Sequence, residues 1–361
     1  MRERVLVAMS GGVDSSVAAA RLVAGGYDVV GVTLHLWDYP DDGTVKGRCC
    51  APEDVHDARR VADVLGFPHF AFDRRELFRT TVVEPFVDAY LAGETPSPCV
   101  RCNRGVKMKE LMHLAERLEA RWVATGHYAR VRRGEHGVEL LRARDLNKDQ
   151  SYFLHMLPAA TLERLLFPLG ELTKDAVREQ ALELGLPGAK KGESQELCFV
   201  PSGRYDSFVA ERAAGRLRPG PIVDDRGRQV GTHAGVHAFT VGQRRNLGVA
   251  LGQRSYVVAV EADTGTVRVG PRQAVLAQGA HLGSVTLQQG VRVPLECEVA
   301  VRYRGRTVPA QVSRPGERQF RVDFREPVSA VVKGQYAVFY AGLRVLGGGV
   351  IEGAIVPGGS A

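Results

Sequence analysis

The stretch Val5-Leu6-Val7-Ala8-Met9-Ser10-Gly11-Gly12-Val13-Asp14-Ser15-Ser16-Val17-Ala18-Ala19-Ala20 sets a polar turn between two apolar runs of different period. Val5 to Ala8 is short and β-branched, as in a buried strand, whereas Val13 to Ala24 has helical length with apolar residues three and four apart. The turn therefore falls at a helix N-terminus, where backbone N–H groups and the helix dipole favour an anion. Gly11 and Gly12 let a phosphate approach the backbone, and the hydroxyls of Ser10, Ser15 and Ser16 add donors. Asp14 can hold a magnesium ion. A serine-capped glycine turn without a ligand is the plain alternative. A P-loop is excluded, because no Gly-Lys-Ser/Thr follows the glycines. The reading that uses every residue is a grip on the pyrophosphate of ATP.

Outward from this turn, residues 1–202 alternate short β-branched runs with amphipathic runs of helical length, the form of a Rossmann-like α/β domain with a parallel sheet. The expected strands are Val5 to Ala8, Val29 to Leu34, His69 to Phe72 and Trp122 to Thr125. The expected helices are Val13 to Ala24, Glu53 to Leu65, Lys107 to Glu119 and Thr173 to Leu184. Ligands of open α/β sheets lie beyond the carboxyl ends of strands, where the glycine turn, Leu34 and Gly126 all fall. Residues 203–275 are rich in Gly, Pro, Val and Arg and read as a small, mainly β central domain. A second break, near Ala277 to Gly283, leads into a C-terminal β-barrel within residues 276–361. Arg132 to Gly137 and Pro40 to Lys46 are polar stretches expected to be loops that order only on a partner.

Composition narrows the class. At 361 residues the chain is long enough for two or three cores. The opening Met1-Arg2-Glu3-Arg4 leads into too few apolar residues for a signal segment, and no run reaches membrane-spanning length, so a cytoplasmic protein without membrane contact is expected. The 48 basic against 41 acidic side chains, net +7, suit a polyanionic partner without requiring one. Six cysteines are too few for a disulfide scaffold of this length.

Those cysteines have placement. Thr95-Pro96-Ser97-Pro98-Cys99-Val100-Arg101-Cys102-Asn103 puts a loop Cys-x-x-Cys before a helix, among Arg101, Arg104, Lys107 and Lys109. That environment is expected to favour thiolates and to make Cys102 a nucleophile. Buried inert thiols and a structural zinc half-site are the alternatives; Cys49-Cys50 is poorly spaced to complete the latter. Cys297 lies in an alternating β run and reads as core.

Taken together, the glycine turn resembles the PP-loop of the ATP pyrophosphatases, and the whole chain resembles the tRNA-specific 2-thiouridylases of the MnmA family. The motifs that carry the resemblance are Ala8 to Ser15, Thr95-Pro96-Ser97-Pro98, Cys102-Asn103, Thr125-Gly126-His127-Tyr128, Lys148-Asp149-Gln150-Ser151-Tyr152, Ser194-Gln195-Glu196-Leu197-Cys198-Phe199 and Gly242-Gln243-Arg244. The resemblance implies ATP held by Ala8, Met9, Ser10, Gly11, Gly12, Val13, Asp14 and Ser15 with Leu34 and Gly126. It implies a persulfide on Cys198 with Cys102 as its catalytic partner. It places Ser97, Pro98 and Cys99 against the target base, and His127, Lys148, Asp149, Gln150, Arg302, Tyr303 and Gln335 against tRNA. The tRNAs would be the Lys, Glu and Gln isoacceptors, and a cysteine desulfurase or sulfur-relay protein would supply sulfur.

One departure stands out: many members carry aspartate where this chain has Cys99, and a thiol hydrogen-bonds only weakly in its place. Cys99, Cys102 and Cys198 instead offer three thiolates, enough for a [4Fe-4S] cluster that would deliver sulfide. The C-terminal section from Leu276 carries ten Lys or Arg against six Asp or Glu, including Arg302-Tyr303-Arg304-Gly305-Arg306, which reads equally as an RNA contact or an exposed charged strand. Two rivals remain at this level: an AMP-transferring synthetase of the same fold that uses ammonia or an amine, and a non-catalytic RNA-binding protein with a relict nucleotide site.

Overall fold

The computed structural model describes residues 2–38, 52–134, 137–189, 197–200, 203–249, 252, 254–317 and 319–357. The first domain contains β1 (Arg4–Ala8), β2 (Asp28–His35), β3 (His69–Asp73), β4 (Trp122–Ala124), a hairpin of β5 (Ala129–Gly134) and β6 (Gly137–Arg142), and β7 (Leu165–Leu166). Five of these form an all-parallel sheet in the order β3, β2, β1, β4, β7. Val5, Leu6 and Val7 are wholly buried at its centre, as a strand covered by helices on both faces requires. The chain leaves β1 toward β2 on one side and later returns to β4 on the other. The strand order thus reverses between β1 and β4, and their carboxyl ends carry the glycine turn and Gly126. A crevice at such a reversal is where doubly wound sheets bind ligands.

The helix Val13–Ala24 follows β1 with its expected bounds. The Cys-x-x-Cys segment differs from expectation. It is not a loop: Pro98–Cys102 is a helical turn that runs through a π-helical segment, Asn103–Lys107, into the helix Met108–Arg117. Pro98 at the first turn is pre-set for helix and sacrifices no intrahelical donor, which is why the helix begins before the cysteines. Arg132 to Gly137 is likewise not a loop, since its described residues belong to the β5–β6 hairpin. Pro40 to Lys46, Cys49-Cys50 and Ser194 to Glu196 lie outside the described residues.

The central domain opens on a helix, Tyr205–Arg212, whose Phe208 and Val209 pack into the first domain's core. Its four-stranded sheet is mixed, with a parallel pairing between Gly220–Val223 and Thr266–Gly270. The break expected near Ala277 to Gly283 sits instead at the short helix Arg272–Val275, because Leu276–Leu287 is one continuous strand. That strand pairs with the last, Arg344–Ile355, and closes a six-stranded antiparallel barrel around Leu282, Val299, Val312, Val322, Phe339 and Ile351. Cys297 packs against this barrel core. Barrel and first domain share apolar residues, with Tyr336, Val338 and Tyr340 joining the cluster that holds Leu140 and Leu154.

Candidate active site

The glycine turn is held open by its own serines. Ser15 Oγ donates to Gly12 O at 2.9 Å, accepts from Ser10 N at 3.1 Å and lies 3.3 Å from Ser10 Oγ, while Ser16 Oγ donates to Gly12 O at 3.0 Å. Gly11 has φ +72°, and a Cβ there would sit 2.3 Å from the Asp54 carbonyl oxygen, so no other residue fits. Gly126 is constrained from the opposite wall: its Cβ would stand 2.9 Å from Ser15 N and 3.0 Å from Asp14 C. The two glycines at the carboxyl ends of β1 and β4 thus bring bare backbone together at the helix N-terminus. Ala8, Met9, Val13 and Leu34 form the apolar support of this edge; Met9, Val13 and Leu34 are buried.

Asp14 has partners that composition and spacing did not reveal. Lys174 Nζ donates to its Oδ1 at 2.6 Å and Tyr128 OH at 2.8 Å, with Lys174 itself buried. A lysine buried at the anion-binding end of a helix is the cationic element that the turn lacks. Its only sequence signal is its position, directly after the helix cap Thr173, whose hydroxyl accepts from Ala176 N. Neither Asp14 bond uses Oδ2, and one carboxylate oxygen together with substrate phosphates is an ordinary magnesium set.

The thiols stand on a different footing from that expected. Cys102 is buried and its pKa is pushed up to about 11 by desolvation, which outweighs the lowering by the Lys107 charge and by a Lys107 backbone N–H. Burial pushes Cys99 up as well. The basic flank therefore does not make resting thiolates: the Lys107 charge lowers both thiols but burial outweighs it, and Arg104 lies instead against Met156. Cys198 is placed by its neighbour: Phe199 is wholly buried among Phe86, Phe208 and Phe78, with ring centroids 5.1, 5.4 and 5.7 Å away. Ala8, Leu34, Cys102 and Cys198 all belong to or pack on one continuous apolar cluster, so the carboxyl ends of β1 and β2 and both thiols share a core. Among the described residues no three His, Cys, Asp or Glu side chains stand together at metal-binding spacing. Cys99, Cys102 and Cys198, all described, therefore do not fit a three-thiolate cluster site in this structure.

The residues expected to meet tRNA divide into two groups. Arg302 is exposed, while Tyr303 is half-buried with its ring 4.2 Å from that of Phe153, so this barrel loop docks on the first domain. Ser97 and Cys99 are half-buried and Pro98 is buried. His127 is half-buried; its Nδ1 lies 2.8 Å from Thr125 Oγ1, and desolvation, with Lys107 nearby, holds its pKa down at about 3, so the ring is neutral. Gln150 accepts from Tyr128 N at 2.9 Å, Gln335 donates to the Thr95 carbonyl at 2.9 Å, and Lys148 is half-buried. Asp149 has intramolecular partners that its motif does not reveal. It is buried and its carboxylate is bonded to Arg142 Nε at 3.0 Å, Ala143 N at 3.0 Å, Ser151 N at 3.2 Å and Ser151 Oγ at 2.9 Å, a structural hub within the Lys148 to Gln150 segment.

Comparison with known proteins bears on the whole chain. Three family models match in order: a tRNA methyl transferase HUP domain over residues 3–202, a tRNA methyl transferase PRC-barrel domain over 206–271 and an aminomethyltransferase beta-barrel domain over 279–351. These domain descriptions speak of methyl transfer, whereas three full-length relatives are named thiouridylases. The tRNA-specific 2-thiouridylase MnmA of Sorangium cellulosum (strain So ce56) is 62% identical over 98% of this chain and 93% of its own. Those of Geobacter metallireducens and Chloroflexus aggregans are 46% and 47% identical, over 99% and 96% of this chain and 99% and 98% of theirs. With its phosphate turn, paired thiols and three domains in that order, the chain belongs to the MnmA family of tRNA-specific 2-thiouridylases.

Proposed function

We propose that this chain converts a uridine of tRNA to 2-thiouridine by ATP-dependent activation followed by sulfur transfer from a cysteine persulfide. The observation that carries the reading is that Ala8, the last residue of β1 before the Ser10 to Ser16 turn, packs on the same apolar cluster as Cys102 and Cys198. The C2 carbonyl of uracil is a poor electrophile, because amide resonance fills its carbon and its oxygen is a poor leaving group. Attack of that oxygen on the α-phosphorus of ATP forms an O–P bond and releases pyrophosphate. The bare backbone of Gly11, Gly12 and Gly126 admits the phosphates, the helix N-terminus and Lys174 meet their charge, and Asp14 would hold the magnesium ion that neutralises the leaving pyrophosphate.

The terminal sulfur of a Cys198 persulfide then attacks C2, and AMP departs with the original oxygen. The Cys102 thiol attacks the Cys198 Sγ as its proton passes to the departing thiouracil, breaking the S–S bond to leave sulfur on the base and forming a Cys102–Cys198 disulfide. An external dithiol reduces that disulfide, and a cysteine desulfurase or sulfur-relay protein reloads Cys198. The substrate base is the wobble uridine of Lys, Glu and Gln isoacceptors, flipped between Ser97, Pro98 and Cys99, with Arg302, Tyr303 and Gln335 on the RNA from the barrel. Among the described residues no helix is long and apolar enough to cross a membrane, and a cytoplasmic enzyme is the reading that goes with a tRNA substrate.

Iron-free enzyme, persulfidated and mixed with unmodified tRNA and ATP in a single turnover, is expected to give one 2-thiouridine per persulfide and a Cys102–Cys198 disulfide by mass spectrometry. Thiolation that needs added iron, or that leaves both cysteines reduced, would overturn the persulfide route.

A further inference from the structure

The segment that delivers Cys99 and Cys102 is gripped by both other domains at one residue. From the barrel, Lys333 O accepts from Thr95 N at 2.9 Å, and Gln335 Nε2 donates to Thr95 O at 2.9 Å. Lys333 Nζ also pairs with Glu94 at 3.0 Å, and Gly334, at φ +90°, has no room for a Cβ looser than 3.2 Å from the Thr95 backbone. From the central domain, Thr240 Oγ1 accepts from Thr95 Oγ1 at 3.2 Å, and Val260 stands against Gly93. Both polar backbone groups of Thr95 and its hydroxyl are therefore spent on the other two domains.

The Gly242-Gln243-Arg244 motif supports this grip. Gln243 Oε1 accepts from Thr240 N at 3.0 Å, and Gln243 Nε2 donates to Arg245 O at 3.0 Å, which locks the turn that presents Thr240. Gly242, at φ +88°, packs against Ala330 of the barrel, where a Cβ would come within 2.8 Å. Central domain and barrel thus meet each other as well as Thr95.

The chain beyond Thr95 is stiff. Pro96 and Pro98 have fixed φ, and Thr95 and Ser97, each preceding a proline, are confined to extended backbone; Ser97 has φ −108° and ψ 89°. Pro98 then starts the helical turn that holds both cysteines. Four consecutive restricted residues transmit a displacement of Thr95 to Cys99 where a flexible linker would absorb it.

We propose that Thr95 is the positioning residue of the sulfur step: the central domain and the barrel hold it, and the Thr95-Pro96-Ser97-Pro98 strut carries that placement to Cys99 and Cys102. The proposal rests on the reading that Cys102 acts in sulfur transfer. It gives the two β domains a role in catalytic geometry beyond RNA contact, and it makes Gln335 a link between the RNA-facing barrel and the thiol helix.

The test uses Pro96→Gly, which softens the strut, and Thr240→Val, which removes the acceptor of the Thr95 hydroxyl while keeping shape. Rates of tRNA-dependent pyrophosphate release and of 2-thiouridine formation are measured on each, with tRNA affinity. A misplacement of about 1 Å costs up to about a hundredfold in rate, so thiolation is expected to fall at least about tenfold and clearly further than pyrophosphate release, which shares only the base contacts of Ser97 to Cys99 with the sulfur step, while tRNA affinity, spread over many contacts, stays within about twofold. Equal losses in both steps, or wild-type thiolation in both variants, would overturn the strut. Cys102→Ser run alongside separates the two claims. If it still thiolates, the sulfur reading fails and the strut with it; if it is inactive while both strut variants keep wild-type rates, the strut alone fails.

Discussion

The Lys174 ammonium stands 2.6 Å from Asp14 Oδ1, joining the first helical turn after β1 to the helix Lys174–Glu183 across the carboxyl edge of the sheet. Lys174 is 6% exposed, so its charge is held near the phosphate turn in a medium that screens it poorly. Lys174→Met is expected to cut tRNA-dependent pyrophosphate release by more than about tenfold, which is about 1.4 kcal/mol of transition-state stabilisation. Asp14→Asn, which keeps the shape but loses the charge, is expected to impair the same step. Tyr128→Phe removes one donor to the Asp14 carboxylate and should cost about tenfold to a hundredfold, the worth of a hydrogen bond to a charged group. Undiminished pyrophosphate release by Lys174→Met would remove that residue from the nucleotide site.

Replacement of either sulfur separates activation from transfer. Cys102→Ser and Cys198→Ser keep nearly the same volume, so the apolar cluster that carries both should persist. Each variant is expected to release pyrophosphate with tRNA and to bind tRNA with near wild-type affinity, yet to form no 2-thiouridine. Normal sulfur incorporation by either would exclude that residue from the mechanism.

The phosphate turn was legible in sequence because its signals are local: a strand, two glycines, serines and a helix occupy adjacent positions, and β1 and the helix Val13–Ala24 form where periodicity places them. What was not legible depends on contacts distant in sequence. Lys174 lies 160 residues from Asp14, and nothing in its own neighbourhood marks it as a phosphate-side cation. The Cys-x-x-Cys segment reads as electropositive in sequence, but desolvation is a property of the packed core, and it reverses the expected effect on Cys102. The helical state of that segment was hidden by two prolines, which end helices when internal but start them at the first turn. Asp149 is expected at the RNA only through the family resemblance, which says nothing of its intramolecular partners. Only the fold shows that Arg142 and Ser151 enclose its carboxylate.

The buried Cys102 predicts a pH profile. With its pKa near 11, the thiol is neutral at pH 7, and alkylation by iodoacetamide should be slow there and climb through pH 9 to 11. Lys107→Met removes the charge that partly offsets burial and is expected to shift that climb to still higher pH, with Lys107→Arg restoring it. The linkage has a definite sign: between the unfolded thiol pKa, about 8.5, and the folded value the native state binds more protons. Stability contributed by Cys102 is therefore present below pH 8.5 and lost as pH rises toward 11. His127 runs oppositely. Its folded pKa of about 3 lies below its unfolded value, so its contribution is present above about pH 6.5 and is lost as pH falls through that window. Alkylation of Cys102 at a pH-independent rate from 6 to 10 would contradict the buried neutral thiol.

Asp149 should behave as a structural residue. Its carboxylate holds Arg142 and three further donors from a buried position, and Asp149→Ala would leave those donors and part of a guanidinium unpaired. Removing one partner of a buried pair costs about 3 to 5 kcal/mol, and the partial exposure of Arg142 places this case at the lower end. Urea denaturation should show a lowered midpoint, while tRNA affinity of the folded fraction stays near wild type. Weakened tRNA binding with unchanged stability would return Asp149 to the RNA interface.

Gly126→Ala tests the crevice itself. The added Cβ would stand 2.9 Å from Ser15 N and 3.0 Å from Asp14 C, both backbone atoms of the helix whose N-terminus is proposed to meet the phosphates. Neither can move without shifting that helix relative to β1, which is fixed by parallel pairing on both sides. Overpacking of this kind costs about 1 to 3 kcal/mol, and β4 would relieve it by drawing away from β1. The gap so opened lies where the nucleotide is expected, so KM for ATP should rise at least about tenfold, while Cys102 alkylation and tRNA affinity, which depend on other walls, remain near wild type. An unchanged KM for ATP would show that the nucleotide does not lie between the carboxyl ends of β1 and β4.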